Sequence, residues 1–275
     1  MAGELDEQGN TPLPKQEQAI VEEHLPLRSP VVYEVVRQEG EAELGRPLAS
    51  LWWSGIAAGI AMFSSVLAQG VLHDRLPDAP WRSLITDFGY CFGFLIVVLG
   101  RLQLFTENTI TAVLPLLADW SRARLGHTAR LWAVVLLANV VGTFATAALV
   151  SWAGLFPAVH LQSMLEVSRE FAHHTPLEAF LFGIPAGFLI AAIVWITPNA
   201  ESAKFAVVVW LTYLVALGDF THVVVGSAEL ALLLIEGSVS AAGALAVLLP
   251  TLAGNIIGGT GLFSLLAYAQ IKGEM

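Results

Sequence analysis

Long hydrophobic runs separated by short polar connections make up the chain from about residue 48 onward. A helix needs about 20 mostly apolar residues to cross ~30 Å of hydrocarbon. Six runs reach this length, at residues 48–72, 83–116, 129–153, 177–197, 204–236 and 244–271. The second and fifth runs are too long for one simple crossing, and each contains a polar interruption. The pattern predicts an all-α protein with six transmembrane helices, in which the second and fifth are each two half-helices joined by a break.

The two halves of this apolar region carry the same signals in the same order. Three pairs of segments lie 115, 116 and 128 residues apart: 105–107 (FTE) with 220–222 (FTH), 139–142 (NVVG) with 255–258 (NIIG), and 55–59 with 183–187. Because each half has three spans, the second half enters the membrane from the opposite side. We therefore predict a 3+3 inverted repeat, with halves of about 47–153 and 177–272. Their breaks should face each other near the midplane and line a water-filled path.

Composition supports a membrane protein with a polar amino-terminal segment. The 275 residues are 56% hydrophobic and 13% charged, with a mean hydropathy of +0.68, which exceeds the apolar share of soluble domains. The first 47 residues hold ten of the acidic side chains. We expect residues 1–46 to form an acidic cytoplasmic tail, disordered to about residue 30 and then helical through Tyr33, Val36 and Leu44. Residues 47–272 are expected to form the channel domain.

Basic residues indicate the orientation of the predicted helices. With the amino terminus inside, nine Lys and Arg residues fall on the cytoplasmic side and only Arg75, Arg82 and Arg169 fall outside. Cytoplasmic loops of membrane proteins are enriched in Lys and Arg. Both termini are therefore predicted to be cytoplasmic, in a multi-pass protein that contacts lipid.

Three stretches resemble the formate/nitrite transporter family: Leu104-Phe105-Thr106, Phe220-Thr221-His222, and residues 254–259 (GNIIGG). The resemblance runs from about residue 33 to 271. It implies an aquaporin-like fold, a homopentamer in a bacterial inner membrane, and a pore in each protomer for small monovalent anions or their conjugate acids. It also implies that Thr106 lies in the loop that breaks the second helix, that Leu104 and Phe105 narrow the pore, and that His222 hydrogen-bonds the threonine.

The chain departs from this family at several positions near the predicted pore. Glu107 stands where a small polar residue is usual, and Gly226 and Gly187 stand at positions that usually hold asparagine. The usual vestibule lysine has no clear counterpart, since Phe171 falls near its position. The chain is therefore expected to be a divergent member whose substrate does not follow from the formate or nitrite members.

His222 is the only one of seven histidines within an apolar run. A structural histidine is one interpretation, but ionisable groups in membrane spans are costly and usually mark a transport path. An anion pays a large desolvation cost at a constriction of Leu104 and Phe105, whereas its conjugate acid crosses more cheaply. We predict that protonation near the gate allows passage. Either His222 donates the proton, or a vestibule water does so while His222 and Thr106 orient the solute.

Glu107 complicates an anion path, because an ionised carboxylate repels anions. It is predicted to pair either with Arg101 as a structural ion pair or with His222, its apparent repeat equivalent. Asp219 is a further candidate partner or pore-lining acid. Phe220 and Thr221 are also assigned to the solute path, and Asn139 and Asn255 are expected to support the broken helices.

Other classes of function remain as alternatives. A Glu107 that stays accessible to solute would favour a channel for small neutral polar solutes, and a Glu107 sequestered by Arg101 would favour anions. A non-transporting scaffold or sensor is a second alternative. An enzyme is not expected, because HExxH and GxSxG motifs are absent from the sequence, although Asp87 and Asp219 could be imagined as an aspartyl dyad. We expect no cofactor, no metal site and no nucleic-acid partner, since Cys91 is a lone cysteine and no nucleotide-binding motif is present.

Overall fold

The protein is described by a computed structural model that covers residues 25–274, together with Pro14 and Glu17. All regular elements within these residues are helices. The predicted disorder of the first 30 residues lies mostly outside the described residues. The predicted amphipathic helix is present as α1 (Ser29–Leu44), which buries Tyr33, Val36 and Leu44.

Nine further helices follow α1 among the described residues. They are α2 (Leu48–Arg75), α3 (Arg82–Leu99), α4 (Asn108–Ala118), α5 (Arg122–Ala153), α6 (Ala158–Ala172), α7 (Pro176–Ile196), α8 (Lys204–Leu217), α9 (Val223–Ile235) and α10 (Ala241–Ile271). A 3₁₀ turn (Asp87–Tyr90) lies within α3, and a π-helical stretch (Ile257–Ser264) lies within α10. By length and composition, α2, α3, α5, α7 and α10 are able to cross a membrane. The all-α prediction is confirmed.

Two breaks interrupt the second and fifth apolar runs, as predicted. The first separates α3 from α4 at residues 100–107, and the second separates α8 from α9 at residues 218–222. Both half-helices end in the same way, with a non-glycine residue in the left-handed region, at Arg101 (φ 53°) and at Asp219 (φ 54°). This conformation is uncommon for residues other than glycine and stops helix propagation.

Hydrogen bonds at the breaks correct the register of the repeat. Phe105 N–H donates to the side chain of Asn139 in the first half, and Val223 N–H donates to the side chain of Asn255 in the second. These equivalent positions are 118 residues apart, so the alignment of the two Phe-Thr triplets at 115 residues is wrong. The repeat equivalent of His222 is therefore Leu104 rather than Glu107. The triplets match in residue type but occupy different backbone positions of the two breaks.

Two helix crossings, of α2 with α5 and of α7 with α10, depend on glycines. A Cβ atom on Gly142 of α5 would overlap the carbonyl oxygen of Ile56, and one on Gly258 of α10 would overlap the carbonyl oxygen of Ile184. Small residues let helix backbones approach closely inside a membrane. The glycines therefore set the separation of the helices that carry the two supporting asparagines.

The helix α6 covers one end of the bundle. It lies in the connection between the two halves and packs against α2 and α9. Gly70 of α2 allows this contact, because a Cβ atom there would overlap Met164 of α6. The connection between the two halves is thus part of the packed structure.

We expect Gly142→Ala to lower the thermal unfolding temperature of the detergent-solubilised protein, because the added methyl group overpacks the α2–α5 crossing at a cost of about 1–3 kcal/mol. Gly126→Ala in the same helix is the matched control, since its Cβ would meet no atom within 4 Å. That change should leave stability unchanged or raise it by up to about 1 kcal/mol through helix propensity. Equal effects of both changes would contradict the proposed role of the crossing.

Candidate functional site

Asn139 holds the backbone of the first break in place. Its side-chain oxygen accepts from Phe105 N–H at 2.9 Å, and its amide nitrogen donates to the carbonyl oxygens of Gln103 at 2.8 Å and Gly55 at 2.9 Å. The side chain is fully buried. Non-helical backbone at membrane depth needs internal hydrogen bonds, and one amide supplies three of them here.

Asn255 forms the same set of bonds in the second half. Its oxygen accepts from Val223 N–H, and its nitrogen donates to the carbonyl oxygens of Thr221 and Gly183, each at 2.9 Å. The Thr221 hydroxyl donates to the carbonyl oxygen of Ala179 at 2.7 Å and so faces α7. Each break is therefore tied to two different helices of its own half.

His222 and Thr106 meet where the two breaks face each other. The imidazole Nε2 lies 2.8 Å from the Thr106 hydroxyl, and both side chains are buried. His222 caps the amino terminus of α9, since Val225 N–H donates to its Nδ1 at 3.4 Å. A nitrogen that accepts a backbone N–H carries no proton, so the neutral imidazole donates from Nε2 to Thr106. The hydrogen of the Thr106 hydroxyl is then available to a further acceptor.

Apolar side chains surround this polar pair. Leu104 and Phe105 are almost completely buried, and the Phe105 ring packs edge-on against Trp132 at 5.7 Å. The Phe94 ring packs against the His222 ring at 5.0 Å. Residues 104–106 are absent from the lining of both cavities described below. Thr106 contacts His222, which lines one cavity, and Gln103 and Glu107 on either side of this segment line the other, so we call residues 104–106 the wall between the cavities.

The cavity on one side of this wall is called the histidine cavity and has a volume of about 60 Å³. Its lining includes Phe220, Thr221 and His222, and four acidic residues, Asp87, Glu170, Asp219 and Glu229. Burial, and then the neighbouring Asp219 carboxylate, raise the pKa of Glu170 in α6. Asp219 is exposed and contacts the imidazole of His174 at 3.1 Å.

Phe171 also lines the histidine cavity and explains one departure from the family pattern. A Cβ atom on Gly226 would overlap the Phe171 ring. The aromatic ring therefore occupies the space into which a side chain at position 226 would project. The Phe171 ring in this position therefore requires glycine at position 226.

The cavity on the other side, called the Glu107 cavity, has a volume of about 390 Å³. Helix α1 forms part of its wall through Glu39 and Glu43, and the Glu43 carboxylate accepts from the Gln103 amide at 2.7 Å. Lys204 also lines this cavity.

Arg101 does not pair with Glu107. Its guanidinium contacts Glu39 of α1 at 3.1 Å, and its side chain is 78% exposed at the mouth of the Glu107 cavity. Because the left-handed turn at Arg101 directs the chain out of α3, the side chain leaves the interior. His222 contacts Thr106, so the alternative pair of Glu107 with His222 is not formed either. Glu107 is partly exposed and lines the cavity without a side-chain hydrogen bond to any described residue.

The residues of the site that the sequence reasoning missed include Gln69, Phe94, Glu170 and Glu229. A signal existed for Glu229, since it is an acidic residue within an apolar run and follows His222 by seven positions, or two helical turns. The positions of Gln69 and Phe94 carry no such signal, because both come from other helices and reach the site only through tertiary packing.

Comparison with known proteins agrees with this architecture. The family model described as formate/nitrite transporter matches residues 30–269. The inner membrane protein YfdC of Escherichia coli (strain K12) is 42% identical over 257 residues, covering 93% of this chain and 83% of YfdC. The formate channel FocA of Haemophilus influenzae is 28% identical over 187 residues, covering 65% of this chain and 64% of FocA.

Two solved structures share the fold. A pentameric formate channel with formate bound superposes with a TM-score of 0.69 at 20% identity, covering 82% of this chain and 97% of the other. An FNT family ion channel superposes with a TM-score of 0.72 at 21% identity, covering 88% of this chain and 96% of the other. The helical arrangement is therefore that of a known group of channels.

Replacing Asn139 by Ala should loosen the first break alone. We expect hydrogen exchange at the Phe105 amide to accelerate by about tenfold or more, because the loss of a buried hydrogen bond costs about 1–3 kcal/mol. Exchange at Val223 should not change. Asn255→Ala is the reciprocal control and should accelerate exchange at Val223 only. Acceleration at both breaks in either variant would show general unfolding instead.

Proposed function

The chain belongs to the formate/nitrite transporter family, and we propose that it forms a membrane channel for small monovalent anions, which cross as their conjugate weak acids. The observation that carries the proposal is the buried His222–Thr106 pair between two cavities. The family consists of transporters, so the expectation that this chain is not an enzyme agrees with its membership.

The apolar wall determines which form of the solute passes. Moving an ion into an apolar environment without a partner is far more costly than moving a neutral acid. Leu104 and Phe105 offer an anion no hydrogen-bond donor from their side chains. The solute therefore crosses this section in its uncharged form.

His222 and Thr106 orient the solute instead of supplying its proton. In the neutral tautomer, the Nε2–H of His222 donates a hydrogen bond to the Thr106 hydroxyl. The hydroxyl hydrogen then donates to a carbonyl or acid oxygen of the passing solute. A proton lost from Nε2 would leave an imidazolate, so water in a cavity is the better proton source. Of the two mechanisms that the sequence left open, we therefore propose the one in which water, and not His222, donates the proton.

The proposal extends to the oligomeric state of the protein and to its orientation in the membrane. A similar channel is described as pentameric, and we propose a homopentamer in which each protomer has its own path through an inner membrane. Helix α1 and Lys204 line the Glu107 cavity, so this cavity lies on the side of the amino terminus. The excess of Lys and Arg in the loops on that side supports a cytoplasmic position for the cavity and for both termini. Lipid would then contact the exposed apolar side chains of the outer helices, such as Trp53 and Trp210.

Passage of small neutral polar solutes is the second candidate function. The observation in its favour is that Glu107 lies in the cavity lining, while Arg101 pairs with Glu39. A neutral solute with hydroxyl groups would not be repelled by this carboxylate. Both candidates use the same gate and differ in the solute that reaches it.

In proteoliposomes of the purified protein, we expect uptake of formate and nitrite to rise as the pH is lowered from about 8 to about 5. Above the pKa of a weak acid, its uncharged fraction grows about tenfold for each unit by which the pH falls. His222→Ala should abolish most of this uptake, because it removes the partner of Thr106 and the cap of α9. The measurement is stopped-flow flux with glycerol included as a neutral solute.

The exposed His127 provides the matched control for this experiment, and His127→Ala should transport like the wild type. Flux of glycerol without flux of either anion would select the second candidate function. Absence of flux for every solute would contradict both candidates and favour a scaffold or sensor.

Thr106→Val tests the hydroxyl separately from the shape of the side chain. We expect weak-acid flux to fall about tenfold or more, since the buried Nε2–H of His222 loses its acceptor and the solute loses a donor. Thr106→Ser retains the hydroxyl and should recover most of the flux. Equal flux in the Val and Ser variants would show that Thr106 acts only through packing.

A further inference from the structure

The histidine cavity has the wrong charge for collecting anions. Four carboxylates line it, from Asp87 of α3, Glu170 of α6, Asp219 of the second break and Glu229 of α9. Among the described lining residues there is no Lys or Arg to balance them. The ionised carboxylates of this site attract cations and repel anions.

A second observation, independent of these charges, also indicates a ligand with hydrogen-bond donors. Gln69 of α2 lines the same cavity and is 6% exposed, and its side-chain oxygen has no hydrogen-bond partner. Glu229 is 7% exposed and lines the same cavity. A buried acceptor left without a donor is costly, and formate and nitrite have no O–H or N–H group to offer it.

Glu229 is also placed to act on whatever reaches the gate. It lies two turns after His222 on α9, so both side chains are on the same face of the helix. Both line the histidine cavity. The volume of about 60 Å³ limits a ligand there to a few non-hydrogen atoms.

We propose that the histidine cavity binds a small protonated amine, of the size of ammonium or methylammonium, and that its free base crosses the gate formed by Leu104, Phe105 and Thr106. This inference rests on the proposed function in one respect, namely that only uncharged solutes cross the gate. A neutral weak acid is not repelled by the carboxylates, so weak acids and weak bases are both able to use the path in their uncharged forms.

The proton is accounted for within the cavity. One N–H bond of the ammonium group breaks, its electron pair stays on nitrogen, and the proton moves to a carboxylate oxygen of Glu229. It then returns to the solution on the same side through water and the exposed Asp219. The free base takes a proton from water in the Glu107 cavity after crossing. The net movement is that of the neutral base.

Several groups set the protonation of Glu229. Helices α5 and α10 also pack on α9 but contribute no titratable side chain to the described lining of the cavity. The titratable groups that do face it are Asp87 and Tyr90 from α3, Glu170 from α6, and Asp219 and His222 from the second break, with His174 on Asp219 and His73 and His173 near Glu170.

The test compares uptake of labelled methylamine and formate into proteoliposomes, with uptake into protein-free liposomes subtracted. At about pH 6 methylamine is almost entirely protonated, as amines are. Glu229→Gln keeps the shape of the side chain and removes its charge. We expect methylamine uptake to fall about tenfold, as for the loss of a charged hydrogen-bond partner. Formate uptake should rise, because one repulsive charge is gone.

Two further variants sharpen the comparison. Gln69→Leu removes the unpaired acceptor and should also lower methylamine uptake. Glu236→Gln is the matched control, since Glu236 lies at the exposed end of α9 and should leave both fluxes unchanged. A variant that simply failed to fold would lose both fluxes, which differs from the opposite changes expected for Glu229→Gln.

The outcomes separate this inference from the proposed function. Formate flux without methylamine flux in the wild type, or methylamine flux that Glu229→Gln leaves unchanged, would overturn the inference and leave the weak-acid channel intact. Methylamine flux without formate flux would support the inference and overturn the weak-acid proposal. Flux of neither solute would overturn both.

Discussion

The structure depends on satisfying the backbone of two broken helices where water is scarce. Unpaired N–H and C=O groups cost several kcal/mol each in hydrocarbon, so a break survives only if other groups bond it. Asn139 and Asn255 each bond one N–H and two carbonyl groups. Because one of these carbonyls belongs to Gly55 or Gly183, each asparagine also fixes the break against a neighbouring helix. Close approach at the glycine crossings brings the amides within reach.

The two breaks are alike in backbone and different in chemistry. Each has a left-handed residue, followed four positions later by an N–H that asparagine holds. At equivalent positions the first break has Leu104 and the second has His222. This difference is what creates a site, since an apolar side chain narrows the path while the imidazole caps α9 and bonds Thr106. An exactly symmetric repeat would place two histidines or two leucines at the centre.

The gate and the cavities control different steps of transport. The apolar wall discriminates against charge, whatever its sign, because desolvation penalises both anions and cations. The charges in the cavities decide which ions accumulate before that step. In this chain the Phe171 ring fills the space beside Gly226, and carboxylates line the histidine cavity. A change of cavity charge thus alters the solute that arrives without altering the principle of the gate.

Hydrophobic run length by itself determined the helical class and the two breaks, because these depend on the thickness of the bilayer and on local composition. The recurring segments of the sequence indicated the repeat. The buried roles of Tyr33 and Val36 in α1 likewise followed from helical periodicity. Only the tertiary structure decided the register of the repeat, the partner of Arg101 and the position of Glu229 and Gln69 beside one cavity. Those features depend on which backbone atoms the asparagines bond and on how separate helices pack. The residue types along the chain do not directly specify these hydrogen bonds or this helix packing.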